Sequence, residues 1–473
     1  MTPARRKVVL YNPRAVFYTF PLALVAVGSH LDPERYEVVV VDGRLEDDPN
    51  AALEPHLADA LCLGVSVLTG DPIRDAVRIS RHAKTLRPDL PVVWGGWHPS
   101  LFGRECLEEA SVDVSVQGQG EATFAEIVER LARGEDLAGC AGCAVRGPDG
   151  EVKLNPPRPF VDVNALRPHE FSLIDVERYF ALKGRRQLDY VSSQGCPFRC
   201  AFCADPFVYG RKWAGLDPAR MGEEIADLWR RYRFDDLSFQ DETYFTYPKR
   251  VEAVADELLR RRLPISWAAT LRADQCFRLP EEVFAKCRDS GLRRVLVGVE
   301  SGTQEMMDRI LKDIRIEHVH FTAERCARHG VAVIFPFIVG FPGESGESIQ
   351  ASLDLAKRLR AMSPDFQTPI FYFKPYPGSP ITDAAVADGH ALPCSLDEWA
   401  DFDFIGSAGP WVTPEVHRKV ERFKFYQQIG FDRPRAALRP LQALARWRCR
   451  HDVYGLPLEK VVIDWIRPQP ALS

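Results

Sequence analysis

Short β-branched runs alternate with helical patterns along most of this 473-residue chain, and that alternation narrows the folds open to it. In the first part the strand-like runs are 7–11, 36–41, 61–67, 91–94 and 112–117, and helical patterns fall at 21–31, 51–58, 72–85, 101–109 and 121–133. Strands apolar on both faces, each followed by a helix, imply a parallel sheet covered on both sides. A second α/β series has strands near 188–193, 236–240, 265–270, 293–299, 331–339 and 366–374. Between the two series lies a proline-rich polar stretch that reads as a linker. The expected organisation is a Rossmann-like domain over 1–146, a linker over 147–185, a second α/β domain over 186–385 and a mainly helical segment over 386–473.

The second series opens on Gln194-Gly195-Cys196-Pro197-Phe198-Arg199-Cys200-Ala201-Phe202-Cys203, directly after a strand-like run. Thiolates hold iron–sulfur clusters, and a cubane normally takes four of them. Three cysteines at C-x3-C-x2-C leave one iron open for a small chelating ligand. Half of a zinc site is the alternative, though structural zinc favours paired C-x2-C knuckles. Cys140 and Cys143 make such a pair, but they lie far upstream in a glycine-rich stretch and read as ordinary thiols. A chance triple of unliganded cysteines is the third reading.

Composition sets limits on the rest. The net charge of −5 argues against a general nucleic-acid binder. Twelve cysteines without a framework pattern suit a reducing cytoplasm. No apolar run has the length of a signal-peptide core or a membrane span, so a soluble, cytoplasmic protein is expected.

The cysteine loop, with Phe202 before its third cysteine, resembles the radical SAM superfamily, and the strand-end residues that follow match that family in order. The resemblance implies an open partial (β/α)6 barrel with its chemistry at the carboxyl ends of the strands. It implies a [4Fe–4S] cluster on Cys196, Cys200 and Cys203. The open iron would grip S-adenosylmethionine (SAM), and an electron would split SAM to a 5'-deoxyadenosyl radical. Phe202 belongs to the SAM-contacting set. Gln240, Asp241 and Glu242 correspond to the motif that binds the methionine ammonium, and Arg272 to a partner of its carboxylate. Glu300, in Gly298-Val299-Glu300-Ser301-Gly302, matches a ribose contact. Gly340 opens a turn, Gly340-Phe341-Pro342-Gly343-Glu344, that leaves backbone groups free near adenine. Pro375, in Lys374-Pro375-Tyr376-Pro377-Gly378-Ser379-Pro380, belongs to a segment typical of the cobalamin-linked subgroup. Any one of these carboxylates alone reads as a surface ion pair.

Ahead of the barrel, the strand ends resemble a cobalamin-binding domain. Ser66, Leu68, Thr69 and Gly70, then Gly95, Gly96 and His98, then Gly118, Gln119, Gly120 and Glu121 correspond to loops that enclose the corrin and its nucleotide tail. Glycine at strand ends is also plain turn chemistry, and a remnant domain that binds nothing is the alternative. Domains of the methionine synthase type carry Asp-x-His-x-x-Gly after the second strand, where this chain has Asp42-Gly43-Arg44-Leu45-Glu46. The resemblance therefore implies cobalamin without a protein histidine below cobalt, and His98 reads as a hydrogen-bonding loop residue.

The implied activity is that of a cobalamin-dependent radical SAM enzyme, a C-methyltransferase acting through methylcobalamin on an unactivated carbon. A non-methylating rearrangement or oxidative cyclisation is the second reading, and a non-catalytic cobalamin or cluster carrier the third. Methylthiolation of tRNA is disfavoured, since that family has extra N-terminal cysteines and an RNA-binding tail. A small-molecule, lipid or tetrapyrrole-like substrate and an electron donor such as flavodoxin or ferredoxin are expected partners, with no nucleic acid. No general acid or base is assignable. Near the C-terminus a helical pattern at 414–429 precedes Arg433, Arg435, Arg439, Arg446, Arg448 and Arg450, interleaved with Leu438, Leu441, Leu444 and Trp447. Such a basic amphipathic helix is expected to pack on the protein, with a membrane surface as the alternative. The aromatics at 371–373 and 399–411 read as core, or as the wall of an apolar substrate cavity.

Overall fold

Val8, Val9, Leu10 and Tyr11 of β1 (Arg6–Asn12) are all completely buried, which requires cover on both faces of the strand. The computed structural model describes residues 5–16, 18–147, 150–402, 408–431, 438–455 and 459. It divides into two compact units: Met1–Thr270 with Glu282–Gly291 and Pro375–Phe404, and Leu271–Glu281 with Leu292–Lys374 and Ile405–Ser473.

In the first unit β1, β2 (Tyr36–Asp42), β3 (Ala60–Ser66), β4 (Val92–Gly95) and β5 (Val114–Val116) form a parallel sheet in the order β2-β1-β3-β4-β5. Alternate residues of β1 feed two cores. Val8 and Leu10 join Leu24 of α1 (Leu22–His30) with Phe124 and Ile127 of α5 (Glu121–Arg133). On the other face Val9 and Tyr11 join Leu53 of α2 (Pro49–Leu57) and Ile73 and Ile79 of α3 (Pro72–Leu86). The helix expected at 101–109 is instead the short α4 (Trp97–Leu101) and a 3-10 turn, Glu105–Glu108. Gly103 intervenes, and a Cβ there would lie 2.6 Å from the Gln117 amide. Antiparallel β6 (Cys143–Arg146) and β7 (Val152–Leu154) carry the sheet past residue 146 into the proline-rich stretch. Cys140 and Cys143 are fully buried there, the second thiol donating to the Cys140 carbonyl at 3.2 Å.

The same unit continues through α6 (Val176–Lys183) to β8 (Gln187–Tyr190). The strand expected over 188–193 is divided: β9 (Ser193–Gly195) leaves β8 and pairs antiparallel with β10 (Trp213–Gly215) across α7 (Asp205–Val208). After α8 (Pro218–Tyr232), β11 (Asp236–Phe239) lies parallel between β8 and β12 (Ser266–Thr270), with α9 (Pro248–Arg261) linking β11 to β12. Trp399 packs on Phe102, their ring centroids 4.5 Å apart, so this part of the expected aromatic cavity wall is core; residues 403–407 lie outside the described residues.

In the second unit β13 (Leu292–Leu296), β14 (Ala332–Ile334) and β16 (Phe366–Gln367) run parallel, as do β15 (Phe337–Val339) and β17 (Ile370–Tyr372). The two long strands expected at 331–339 and 366–374 are each broken, near Pro336 and Pro369, because proline has no N–H for the ladder. The C-terminal helix Arg439–His451 buries Gln442, Ala445 and Cys449 and packs on Pro414–Phe431, leaving Leu444 and Trp447 exposed. Arg433 and Arg435 lie outside the described residues. No helix among the described residues is long and apolar enough to cross a membrane.

Candidate functional site

A cavity of about 290 Å³ opens in the first unit where the strand order reverses between β1 and β3. Parallel α/β sheets bind ligands at this place. Its deep wall is apolar, with Leu22, Ala26 and Val27 of α1 facing Phe124 of α5. Glycines form much of the next tier: Gly95, Gly96, Gly118 and Gly120 all line it, so few side chains project from that wall. Gly96 has φ +97°, and a Cβ there would stand 3.1 Å from the Val67 nitrogen, a position that only glycine fills without strain. Gln194, Tyr209, Gln240 and Glu242 complete the cavity.

Those last residues surround the cysteine loop. Gly195 turns the chain into it with φ +85°, passing the Lys212 carbonyl at 2.3 Å from where a Cβ would be. Cys200 is buried, Cys196 and Cys203 half-buried, and the Cys203 N–H donates to the Cys200 carbonyl at 3.3 Å. Burial raises the Cys203 thiol well above its ordinary pKa. Asp205, 3.5 Å from its sulfur, and then Cys200 and Cys196 add to the shift. Cys203 thus lies within electrostatic reach of the other two thiols. Segment 375–381 packs on this loop: the Ile381 N–H donates to the Ala201 carbonyl at 3.1 Å, and Gly378 lies under the Phe207 ring.

Glu242 is pushed up to about 8, by burial first and then by Asp205, while a hydrogen bond from Tyr209 works the other way. Tyr209 is raised well above its ordinary value by burial and by Glu242, Asp205 and Glu121. Glu242 thus holds its proton at neutral pH and would ionise when a cation neutralises it.

The comparisons with known proteins fit this geometry. The profile of the radical SAM superfamily matches residues 190–356, and that of the B12 binding domain matches residues 9–128. The chain carries a B12 binding domain followed by a radical SAM domain. An uncharacterized methyltransferase of Pyrococcus horikoshii is 28% identical over 409 residues, 85% of this chain and 86% of that one. The anaerobic magnesium-protoporphyrin IX monomethyl ester cyclase of Rubrivivax gelatinosus is 27% identical over 377 residues, 76% of this chain and 66% of that one. Among solved structures, the radical SAM methyltransferase TsrM of Kitasatospora setae with cobalamin and a [4Fe–4S] cluster superposes with a TM-score of 0.72. It is 19% identical, over 87% of this chain and 85% of that one, which speaks to the fold.

This B12-binding radical SAM protein is an enzyme whose cofactors are a [4Fe–4S] cluster, SAM and cobalamin. Its residues fit them. Among the described residues no three His, Cys, Asp or Glu side chains converge as a single ion requires. A cubane takes each thiolate on a different iron, and three thiols on one loop, Cys203 in electrostatic reach of the other two, match that donor set. The glycine-lined cavity suits a large flat ligand approaching the backbone closely.

Several expected contacts are placed otherwise. Ser66, Leu68, Gly95, Gly96, Gly118, Gln119, Gly120 and Glu121 line the cavity; Thr69, Gly70 and His98 do not. His98 is fully buried, its Nδ1 3.2 Å from the Thr69 hydroxyl and its ring against Phe102 and Trp399. Burial alone drives its pKa down to about 3, and Nε2 has no partner. In the loop lacking the expected histidine, Arg44 pairs with Asp42 at 2.6 Å, and Tyr179 donates to the same carboxylate.

Gln240 lines the cavity, but Asp241 is consumed: its oxygens accept from the Ser192 N–H at 2.7 Å and from the Ser192 and Ser193 hydroxyls. Asp241 therefore pins the strand entering the cysteine loop. In the second unit, the Arg272 guanidinium donates to Asp274 at 3.0 Å and to the Lys312 carbonyl at 2.6 Å. Glu300, at φ +67°, accepts from Lys312 Nζ at 2.6 Å, both side chains buried. The Gly340 and Phe341 N–H groups, expected to be free, donate to Glu344 at 2.7 and 3.2 Å. Phe202 is half-buried in the cysteine loop, and Pro375 opens the segment on top of it.

Sequence reasoning missed Tyr209, Gln194 and His169 as cavity residues, and all three line it. His169 stands in Arg167-Pro168-His169, inside the stretch read as linker, and burial lowers its pKa. Nothing in spacing or periodicity marks these three; only folding brings them to the glycine loops.

Proposed function

We propose that this enzyme transfers a methyl group from SAM, by way of cobalamin, to an unactivated carbon of a small-molecule substrate. The observation that carries this reading is the single cavity bounded by both matched segments: Gly95, Gly96 and Gly118–Glu121 on one side, Gln194, Gln240 and Glu242 on the other. When bound, the cluster supplies the electron that splits SAM, and cobalamin supplies the methyl carrier. Cys196, Cys200 and Cys203 would hold the cluster. Glu242 would take the methionine ammonium, giving up its proton as the cation arrives, and Tyr209 would hold the carboxylate in place by hydrogen bonding. Asp241 fixes the strand that delivers Cys196. The glycines would let a corrin meet backbone, and the apolar slot between α1 and α5 would keep water from it. Glu300, held by Lys312, is the residue for a ribose hydroxyl.

The likeness to a magnesium-protoporphyrin cyclase favours a second reading, a non-methylating radical cyclisation on the same scaffold with the same SAM cleavage. None of the twelve cysteines forms a disulfide, in keeping with a reducing cytoplasm and an electron donor such as flavodoxin or ferredoxin. Anaerobic reduction of the reconstituted protein is the test. Formation of 5'-deoxyadenosine that disappears in Cys200→Ala, with label passing from SAM methyl to cobalamin, supports methyl transfer. Cleavage of SAM with no label on cobalamin favours cyclisation, and no cleavage at all overturns both.

A further inference from the structure

The C-terminal helix Arg439–His451 turns one face to the protein and leaves the opposite one bare. Gln442, Ala445 and Cys449, three and four places apart, are its buried residues, and the helix packs on Pro414–Phe431. On the other side Pro440, Leu444, Trp447 and His451 recur at helical spacing and form a continuous strip. All four are exposed, Trp447 keeping 49% of its surface and Leu444 40%. The Trp447 and His451 rings lie against each other, their centroids 5.3 Å apart.

Charge borders this strip in one sign. Arg439, Arg446 and Arg450, seven and four places apart, run along one edge, and Arg448 lies on the other. The helix has no acidic side chain, although the chain as a whole carries a charge of −5. The carboxylates nearest in sequence beyond it are taken: Glu459 pairs with Arg448, and Asp452 with Lys357 at 3.0 Å. Arg446 donates to the neutral Gly430 carbonyl at 3.1 Å, a bond that leaves its charge in place. Arg439 and Arg450 are exposed and form no ion pair among the described residues.

We propose that this face docks on an anionic lipid bilayer, with Leu444 and Trp447 entering the acyl boundary and Arg439, Arg446 and Arg450 meeting the lipid phosphates. Arginines on an apolar strip's border reach headgroups along their own aliphatic stems, and indole suits the boundary itself. Charge complementarity selects this partner. A second copy of the chain would set arginine against arginine, with no carboxylate on the helix to answer them. The helix is already formed and held by its inner face, so docking orders side chains alone. The inference uses no cofactor residue and stands apart from methyl transfer.

The test is cosedimentation of full-chain protein, reconstituted with cluster and cobalamin, with two kinds of vesicle. One is phosphatidylcholine alone, the other phosphatidylcholine with about one-third phosphatidylglycerol. Partition onto the anionic vesicles is expected to be at least about tenfold stronger and to weaken as salt is added. Arg439→Gln combined with Arg450→Gln should lose about tenfold of it with an unchanged circular dichroism spectrum. Should that variant fail to fold, Trp447→Ser carries the same expected loss. Tryptophan emission should shift to the blue on binding, and Trp447→Phe, which keeps an apolar ring, should bind with most of that shift gone. Equal partition onto both vesicles, no partition, or an affinity unchanged in the folded variant overturns the proposal. A blue shift that Trp447→Phe retains also overturns it, because another surface then enters the lipid. So does lipid-free dimerisation that Trp447→Ser abolishes, which assigns the face to a second copy. A single-stranded oligonucleotide bound as tightly as the anionic vesicles overturns it too, since the face then reads charge alone. Formation of 5'-deoxyadenosine by the wild-type protein, measured on the same batch, reports separately on the cofactor reading.

Discussion

The side-chain amide of Gln119 donates to the side-chain carbonyl of Gln194 at 2.7 Å, joining the loop after β5 to the residue two before Cys196. Gln194 donates in turn to Glu121 at 2.7 Å, and the Gln119 side-chain carbonyl accepts from the Val161 N–H at 2.7 Å. One glutamine thus binds the glycine-loop wall of the cavity to the cysteine loop. Replacing Gln194 with alanine removes two hydrogen bonds, one of them to a buried carboxylate, at about 1–3 kcal/mol. Cobalamin retention by Gln194→Ala is expected to weaken about tenfold in equilibrium dialysis. The circular dichroism spectrum should stay that of the wild type.

Glu242 makes stability depend on pH in a direction opposite to most carboxylates. Its ordinary value is 4.5 and its folded value about 8, so between these the folded state holds a proton that the unfolded chain has lost. Its contribution is complete below the lower value and declines as pH rises through the higher one. Glu242→Gln needs no proton, so its thermal midpoint, relative to wild type, should rise between about pH 5 and about pH 8.5. The same substitution should weaken SAM binding.

His98 tests the claim that cobalt takes no nitrogen from this loop. His98→Ala removes a fully buried ring packed on Phe102 and Trp399, and should cost about 2–4 kcal/mol in urea unfolding. The absorption spectrum of bound cobalamin should not change. A shift of its long-wavelength bands in the variant would show that His98 reaches cobalt.

Lys312 balances Glu300 inside the second unit, where both side chains are buried and Glu300 is already strained at positive φ. Lys312→Met leaves a buried carboxylate alone, and the expected loss is about 3–5 kcal/mol. Adding Glu300→Gln should recover a large part of it. Urea denaturation of the two variants and the wild type decides this.

Gly195 is irreplaceable on two counts, its φ of +85° and the Lys212 carbonyl in the space of a Cβ. Gly195→Ala should fold, yet bind several-fold less iron after anaerobic reconstitution, measured against protein by a colorimetric iron assay, because the turn that delivers Cys196 is displaced.

Much of the molecule was legible before folding because its determinants are local. Apolar runs of β1 and β3, the helix 121–133, the cysteine spacing and the glycines at strand ends each depend on residues a few places apart. Tertiary structure decided the partners of buried polar groups. Asp241 looked available for an ammonium, but Ser192 and Ser193, about fifty places earlier, fill its oxygens. Gln194 meets Gln119 from 75 places away, and Trp399 reaches the core of a sheet that ends by residue 154. A carboxylate or amide in a sequence carries only its capacity to bond. Which partner satisfies it once water is gone is set by what the fold carries alongside, and no local pattern records that.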